Sequence, residues 1–222
     1  MTLTIPTKYS TLLAIDTSGT ACSVALSVQG EAMQVYDLEA RQHTRQLLPL
    51  VDKILNKAHV EKSAVQGVVI SAGPGAFTGL RIGATVAMGL ATGWNVPLLP
   101  ISSLALLAAT IQRHSGAHKV LALMDARMDE VYAGLYEDGV CLGADRVCAP
   151  EALPVEWFGG ALVAGAGTVY AARFPAPANL AEDDYIPEAI DAFSLLDSAV
   201  WQSPLQGVEL HYLRNEVVHK HE

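Results

Sequence analysis

Cysteines are few in this chain of 222 residues, and basic charge is scarce. The three cysteines, Cys22, Cys141 and Cys148, are odd in number and lack the spacing of a metal site. They argue against a disulfide framework and favour a reduced, cytoplasmic setting. No charged segment followed by an apolar core stands near residue 1, so we expect no secretory signal.

Basic charge is too scarce for a surface that binds nucleic acid directly. The net charge is −9, and residues 119–222 hold 17 Asp or Glu against 6 Lys or Arg. Proteins that bind nucleic acid on their own usually carry a basic footprint. We therefore expect no direct contact with a phosphate backbone, although acidity more commonly serves solubility alone.

One long uncharged stretch raises the question of a membrane segment. Residues 82–112 contain no Asp, Glu, Lys or Arg, but a spanning helix needs about 20 continuous apolar residues. Gly93, Asn95, Pro97 and Pro100 interrupt the run. The stretch therefore predicts a helix, a buried strand and a second helix, without membrane insertion.

Apolar runs and helical patterns alternate along the chain and predict an α/β fold. In the first half we expect strands at Leu12–Ile15, Cys22–Val28, Ala32–Leu38, Gly67–Ile70 and Val96–Ile101, and helices at Thr44–Ala58 and Thr78–Ala91. In the second half we expect strands at Val120–Met124, Val131–Tyr136, Val140–Val147 and Ala161–Ala164, and helices near Glu151–Trp157 and over Glu188–Trp201. The similar order indicates two lobes of a duplicated β-β-β-α-β-α unit, residues 1–103 and 104–222, with the last segment packing back on the first lobe.

The most informative segment is the glycine-rich block Ser71–Gly83. Gly73 and Gly75 permit backbone angles closed to other residues, and Pro74 fixes one dihedral between them. Such a strand–turn–helix either presents backbone N–H groups to an anion or lets another backbone approach closely. Small residues recur every four positions and form one helical stripe, namely Gly75, Gly79, Gly83, Ala87 and Ala91. Spacing alone leaves open whether the neighbour of this stripe is the chain's own sheet or another protein.

The preceding helix, Thr44–Ala58, has an apolar face that is wider than a one-sided contact needs. The residues on this face are Leu47, Leu48, Leu50, Val51, Ile54, Leu55 and Ala58. The pattern allows two interpretations: packing on its own sheet alone, or an additional helical partner from outside the chain.

Few residues are candidates for a catalytic, metal-binding or phosphate-binding role. Asp16, Thr17 and Ser18 follow the first strand, where a carboxylate could hold a metal ion and hydroxyls could meet phosphate. Ordinary hairpin turns use the same residue types. His114 and His118 have the spacing of a zinc motif, but no glutamate accompanies them and we expect no metal site. The sequence indicates no convincing Ser–His–Asp triad or Cys–His pair.

Several motifs resemble the bacterial TsaB (YeaZ) family of tRNA threonylcarbamoyladenosine synthesis. They are Leu13-Ala14-Ile15-Asp16-Thr17-Ser18, His43-Thr44 with Leu47-Leu48-Pro49, the block from Gly73 to Gly83, Asp125-Ala126-Arg127 with Glu130-Val131-Tyr132, and Tyr212-Leu213-Arg214. The glycine-rich block is the most specific of these motifs, and together they extend over nearly the whole chain. Departures from the family pattern are small: Thr44 replaces a frequent Ser, and Leu210 and His211 stand where Pro is frequent.

This resemblance implies an actin-like ATPase (ribonuclease-H-like) fold without catalysis of its own. TsaB-like proteins pair with a paralogue, TsaD, which holds the catalytic metal. TsaD, TsaB and the ATPase TsaE transfer threonylcarbamoyl from its adenylate to N6 of the adenosine beside the tRNA anticodon. We therefore expect ATP/ADP and a metal ion on partner subunits only, and tRNA contact only through the complex. TsaD-like proteins carry Asn-His-x-x-x-His, but here Ser103 and Leu107 stand at the two histidine positions, which removes that metal site.

The resemblance also implies an interface. In the family, the first two helices meet their counterparts on TsaD, or on a second TsaB when TsaD is absent. The residues we expect there are Leu47, Leu48, Val51, Ile54, Leu55, Gly75, Phe77, Thr78, Gly79, Arg81, Gly83 and Ala87. One alternative function is an ATP-dependent small-molecule kinase of the same fold, with Asp16 and Thr17 on Mg-ATP and Asp125 assisting. A metalloprotease is the other alternative, and the missing histidine pair argues against it.

Overall fold

The computed structural model describes residues 9–38 and 43–213, which form two mixed β-sheets, three α-helices and several 3₁₀ turns. The strands are β1 Thr11–Asp16, β2 Cys22–Val28, β3 Glu31–Asp37, β4 Val68–Ser71, β5 Leu98–Ile101, β6 Lys119–Arg127, β7 Glu130–Glu137, β8 Val140–Cys141, β9 Arg146–Cys148, β10 Leu162–Ala164 and β11 Asn179–Leu180. The helices are α1 His43–Lys57, α2 Phe77–Trp94 and α3 Ser103–Ser115. This architecture confirms the predicted α/β class.

The first sheet has the order β3-β2-β1-β4-β5. Every residue of β1, β4 and β5 is buried, whereas the edge strand β3 is largely exposed or half-buried. β1 pairs antiparallel with β2 and parallel with β4, and all of its residues are buried. Alternate residues of β1 therefore face opposite cores. Leu13 and Ile15 belong to the core under α1 and α2, whereas Leu12 and Ala14 belong to the core around α3.

The second sheet has the order β11-β10-β6-β7-β8, and β9 also pairs with β7. Its central strand β6 contributes Val120 and Ala122 to the α3 core, so α3 packs between the two sheets. The opposite face of β6 buries Leu121 and Leu123 in a third core with Trp157. Because α3 belongs to both lobes, the boundary between residues 103 and 104 stays a prediction. In the described part of the chain, no helix is both long and apolar enough to cross a membrane.

The helix predicted over Glu188–Trp201 is wrong. The segment forms only a 3₁₀ turn, Ala189–Ser194, and side chains from elsewhere in the chain bind the backbone amides at its start. The N–H groups of Glu188, Ala189 and Ile190 donate to side-chain oxygens of Thr110, Ser23 and Gln34, at 3.1, 3.0 and 2.9 Å. These acceptors fix the start of the segment on the rest of the chain. Further along, Ser194 Oγ donates to Asp191 O at 2.7 Å and Ser198 Oγ donates to Leu195 O at 2.6 Å, so local side-chain bonds compete with the carbonyl acceptors of a longer helix.

Two other predictions in the second half also need correction. The single strand expected over Val140–Val147 is divided into β8 and β9, with Gly143 at a φ of 128° between them. The helix expected near Glu151–Trp157 is divided into two 3₁₀ turns, Pro150–Ala152 and Val155–Phe158, with Pro154 between them. Short connections and proline therefore interrupt these elements. The described second half thus repeats the strands of the first half more closely than its helices.

A charged network fixes the segment from residue 188 to residue 191 on α3. The Arg113 guanidinium donates to both oxygens of Asp191, at 2.6 and 3.0 Å, and to Glu188 at 2.8 Å. The Asp191 side chain is almost fully buried. Burial alone would raise the pKa of Glu188, but hydrogen bonds with His114 and Gln34 and the Arg113 charge lower it overall. Glu188 therefore contributes stability above its ordinary pKa, and that stability is lost as the pH falls through its lowered pKa.

We predict that Arg113→Met destabilises the protein, because it leaves the buried Asp191 carboxylate without its compensating charge. The free energy of unfolding should fall by about 3 kcal/mol in urea denaturation at neutral pH. Arg173→Met is the matched control, since the Arg173–Glu151 pair lies at the surface. That change should have little effect, and an Arg113→Met variant as stable as the control would contradict the role of the network.

Candidate functional site

The glycine-rich loop between β4 and α2 is bonded on both sides to its own chain. Gly73 N–H donates to Ser103 Oγ at 3.1 Å, and Ser103 N–H donates to Gly73 O at 2.8 Å. Ala76 N–H donates to Ser18 O at 2.8 Å. The Gly73–Pro74 peptide is cis, and a Cβ on Gly75 would collide with Ser18 O. The Gly73 and Ala76 amides are thus occupied, so the loop packs closely on its own chain and the anion-binding alternative loses these two donors.

The small-residue stripe of α2 faces the end of β1. Thr17 Oγ1 donates to Gly79 O at 2.9 Å, and a Cβ on Gly79 would collide with Thr17 O. A Cβ on Gly83 would collide with Thr17 Oγ1, and Ala87 and Ala91 are fully buried. The neighbour of Gly79, Gly83 and Ala87 is therefore the chain itself. Their assignment as points of close approach for a partner is corrected.

The apolar residues of α1 are mostly internal as well. Leu47, Val51, Ile54 and Leu55 are buried in the same core as Leu13 and Ile15. Their side chains hold α1 on the sheet and do not form a surface, which corrects their assignment as direct interface contacts. Leu48 differs, because half of it is exposed (50%).

The surface that α1 and α2 present to solvent is narrower than predicted. The predicted interface residues that do lie at the surface are Leu48, Phe77, Thr78 and Arg81. Arg81 is held within the chain, since its guanidinium lies 3.7 Å from the centre of the Phe77 ring and donates to Tyr212 Oη at 3.3 Å. The cation–π contact orders Phe77 and Arg81 at the start of α2.

A second series of small residues on α2 points outward and was missed from the sequence. Thr85, Gly89 and Gly93 also recur every four positions, and all three are exposed. A Cβ on Gly89 or Gly93 would meet no atom within 4 Å. Glycine in a helix costs about 1 kcal/mol relative to alanine, and here no internal contact explains it. We call Leu48, Thr85, Gly89 and Gly93 the outer helix face.

Asp16, Thr17 and Ser18 are buried and bonded internally. Asp16 Oδ1 accepts hydrogen bonds from Ser18 N at 3.2 Å and from Ser18 Oγ at 2.7 Å. Burial raises the pKa of Asp16, and the hydrogen bonds from Ser18 and the proximity of His43 oppose the shift. The three residues thus tie the end of β1 to α2. Thr17 Oγ1, Ser18 Oγ and Asp16 Oδ1 therefore all bond within the chain.

An open cleft of about 950 Å³ lies between the lobes, bounded by the turn after β1, the start of α2 and the turn after β6. Its walls are mainly apolar and aromatic, and include Phe77, Tyr132, Tyr185 and Tyr212. Among the described residues, Asp125 is the one carboxylate that lines it, and it is already paired. Asp125 accepts from Arg127 N–H at 2.8 Å and from Tyr170 Oη at 3.3 Å, and its other oxygen lies 3.0 Å from the Arg127 guanidinium.

The positions that correspond to metal-binding histidines are used structurally. Ser103 is bonded to Gly73, and Leu107 is buried at the wall of the cleft. Within residues 9–38 and 43–213, His, Cys, Asp and Glu side chains do not gather in any group of three that could hold a metal ion.

The chain is similar to known proteins over most of its length. A family model described as "TsaD: tRNA N6-adenosine threonylcarbamoyltransferase" matches residues 35–155. The tRNA threonylcarbamoyladenosine biosynthesis protein TsaB of Haemophilus influenzae is 34% identical over 226 residues, which cover 95% of this chain and 96% of that protein. The chain belongs to the TsaB family.

Two other similar proteins support this assignment, over 63% and 91% of this chain. TsaB of Escherichia coli is 41% identical over 145 residues, or 63% of each chain. The solved structure of YeaZ from Pseudomonas aeruginosa is 39% identical, covers 91% of this chain and 100% of its own, and superposes with a TM-score of 0.85. These matches confirm the family resemblance and the two-lobed actin-like fold.

Residues from several of the motifs that resemble the TsaB family lie around α2. Thr17 lies under α2, His43 Nε2 lies 3.3 Å from Gly19 O, and a Cβ on Gly79 would come within 3.3 Å of the His43 ring. Tyr212 contacts Arg81 on the other side of α2. These motif residues therefore hold α2 in position.

We predict opposite effects for one substitution at two glycines of α2. Gly79→Ala should destabilise the protein, because its Cβ meets the Thr17 backbone, which cannot move without disturbing β1. Gly89→Ala should stabilise it by up to about 1 kcal/mol, because the new methyl group meets open space and alanine favours the helix. Thermal denaturation measures both, and equal melting temperatures for the two variants would contradict the assigned orientation of α2.

Proposed function

We propose that this chain is a non-catalytic subunit that binds a TsaD-family protein and supports its transferase activity. The reaction is the transfer of threonylcarbamoyl from threonylcarbamoyl-AMP to N6 of the adenosine beside the anticodon in tRNAs. The TsaB family membership carries the assignment to this modification. The outer helix face is the observation that carries the role as a binding partner.

The proposal of a non-catalytic role is supported by how the polar groups are used. Asp125, which lines the cleft, is engaged by Arg127 and Tyr170, and the buried Asp16 at the end of β1 is engaged by Ser18. A general base or a metal ligand needs a carboxylate that is free to meet a proton or a cation. The same pairing weakens the kinase alternative, since Asp16 and Thr17 lack access to Mg-ATP.

The role as a partner is supported by the character of the outer helix face. Gly89 and Gly93 bring the α2 backbone to the surface, and α2 carries no charge after Arg81. Depletion of charge and close backbone approach are typical of helix–helix interfaces. The buried α1 and α2 side chains hold this face rigid, so the partner meets a preformed surface.

The proposal also covers cofactors, contact with tRNA, localisation and oligomeric state. ATP/ADP and the metal ion belong to the partner subunits, TsaD and TsaE, and this chain has no cofactor of its own. An acidic chain reaches tRNA only through the complex, in the cytoplasm. In isolation, the outer helix face pairs with a second copy, so a homodimer gives way to the heterodimer when TsaD is present.

We predict that tRNA modification in a reconstituted system requires this chain but that the chain alone has no transferase activity. Purified TsaD, TsaE and this chain are supplied with threonylcarbamoyl-AMP, ATP and unmodified tRNA, and each protein is omitted in turn. Mass spectrometry of the digested nucleosides measures the product. Full modification without this chain, or modification by this chain alone, would refute the proposal.

We predict that Gly89→Leu abolishes stable binding to TsaD while the fold is retained. The leucine side chain extends into the open space where the partner backbone approaches, so it obstructs the partner and meets no atom of its own chain. Co-purification with tagged TsaD and calorimetric titration measure binding, and circular dichroism measures folding.

Gly89→Ala is the matched control, because it adds only a methyl group and should lower affinity less. Gly83→Leu serves as a contrast: its side chain would displace Thr17, so it should lower the melting temperature. Wild-type affinity of the folded Gly89→Leu variant would exclude the outer helix face as the interface.

A further inference from the structure

A second uncharged segment lies beside α2. Residues 198–208 contain no Asp, Glu, Lys or Arg, although they belong to the acidic half of the chain. We call residues 198–213 the C-terminal strap. Its Pro204–Gln206 turn contacts α2, and Val208 packs against the core under α1 and α2.

Both ends of the strap are attached, which fixes its direction. Gln202 and Leu98, at the start of β5, exchange backbone hydrogen bonds of 2.9 and 2.7 Å. His211 N–H donates to Ala72 O, just after β4, at 2.8 Å. The strap therefore runs alongside α2 in the opposite direction, which places the Pro204–Gln206 turn beside the C-terminal half of the helix. Gly89 and Gly93 lie in that half.

Between Trp201 and Val208, the strap holds one large apolar side chain away from the protein, and Val200, just before Trp201, is also exposed (76%). Trp201 packs on Tyr9, with ring centroids 4.6 Å apart, and Val208 is partly buried. Between them Leu205 is 84% exposed. Ser203 Oγ accepts from Leu205 N–H at 3.4 Å and caps the turn. Because the turn is anchored on both sides, the exposure of Leu205 is a property of the fold and not of a loose end.

We infer that Leu205 extends the outer helix face and inserts into an apolar pocket of the TsaD-family subunit that covers this face. The inference rests on the proposed function. Two adjacent segments without charge, in a chain with a net charge of −9, form one continuous surface depleted of charge, as in the centre of an interface. A single exposed leucine on a rigid turn is the kind of anchor that such a surface supplies to a pocket.

The test compares Leu205→Asp with two other variants for binding to TsaD from the same organism, by calorimetry. Leu205→Asp should raise Kd at least about tenfold, because a charge cannot enter an apolar pocket without losing hydration. Leu205→Met should bind like the wild type. Val140→Asp is the matched control, since Val140 is 64% exposed and lies on β8 in the other lobe, and its Kd should be unchanged.

The outcomes separate this inference from the function on which it rests. Unchanged binding by Leu205→Asp, with binding lost in Gly89→Leu, would refute the role of Leu205 and leave the proposed function standing. Unchanged binding by both variants would refute both. If gel filtration shows that Leu205→Asp disrupts only self-association, the pocket belongs to a second copy of this chain and the inference fails.

Discussion

The close approach of α2 to the end of β1 is the contact on which the rest of the structure depends. Thr17 donates to Gly79 O, and glycines at positions 79 and 83 leave room for it. This contact determines how α2 is rotated, because one side of the helix must carry no side chain. The opposite side, with Gly89 and Gly93, is thereby turned to solvent.

The same contact explains why polar groups beside it are already hydrogen-bonded and not free to bind a ligand. Ser18 Oγ in the turn after β1 donates to Asp16, and Ala76 N–H in the glycine-rich loop donates to Ser18 O. These polar groups, with which a related fold could bind a nucleotide, are therefore used inside the chain. The cleft between the lobes remains, but its walls are aromatic and its carboxylate is paired. This arrangement is consistent with the non-catalytic role proposed above.

The C-terminal strap and the charged network complete that surface from the other lobe. Arg113 ties residues 188–191 to α3, and the chain then returns along α2 to Ala72. The second half of the chain is thus needed to cover β5 and to present Leu205, even though the proposed interface lies on the first half. One continuous packing arrangement therefore links the second half of the chain to the proposed interface.

The sequence by itself determined the α/β class, the strands and helices of the first half, and the family, because alternating apolar runs and a specific glycine block are local patterns. The tertiary structure alone decided which side of each helix faces out. Two small-residue series occur on α2, and only the position of Thr17 shows that the series with Gly79 and Gly83 is internal. It also decided where the 3₁₀ turn of residues 189–194 is attached, because Ser23, Gln34 and Thr110, distant in sequence, supply acceptors that no local pattern reveals.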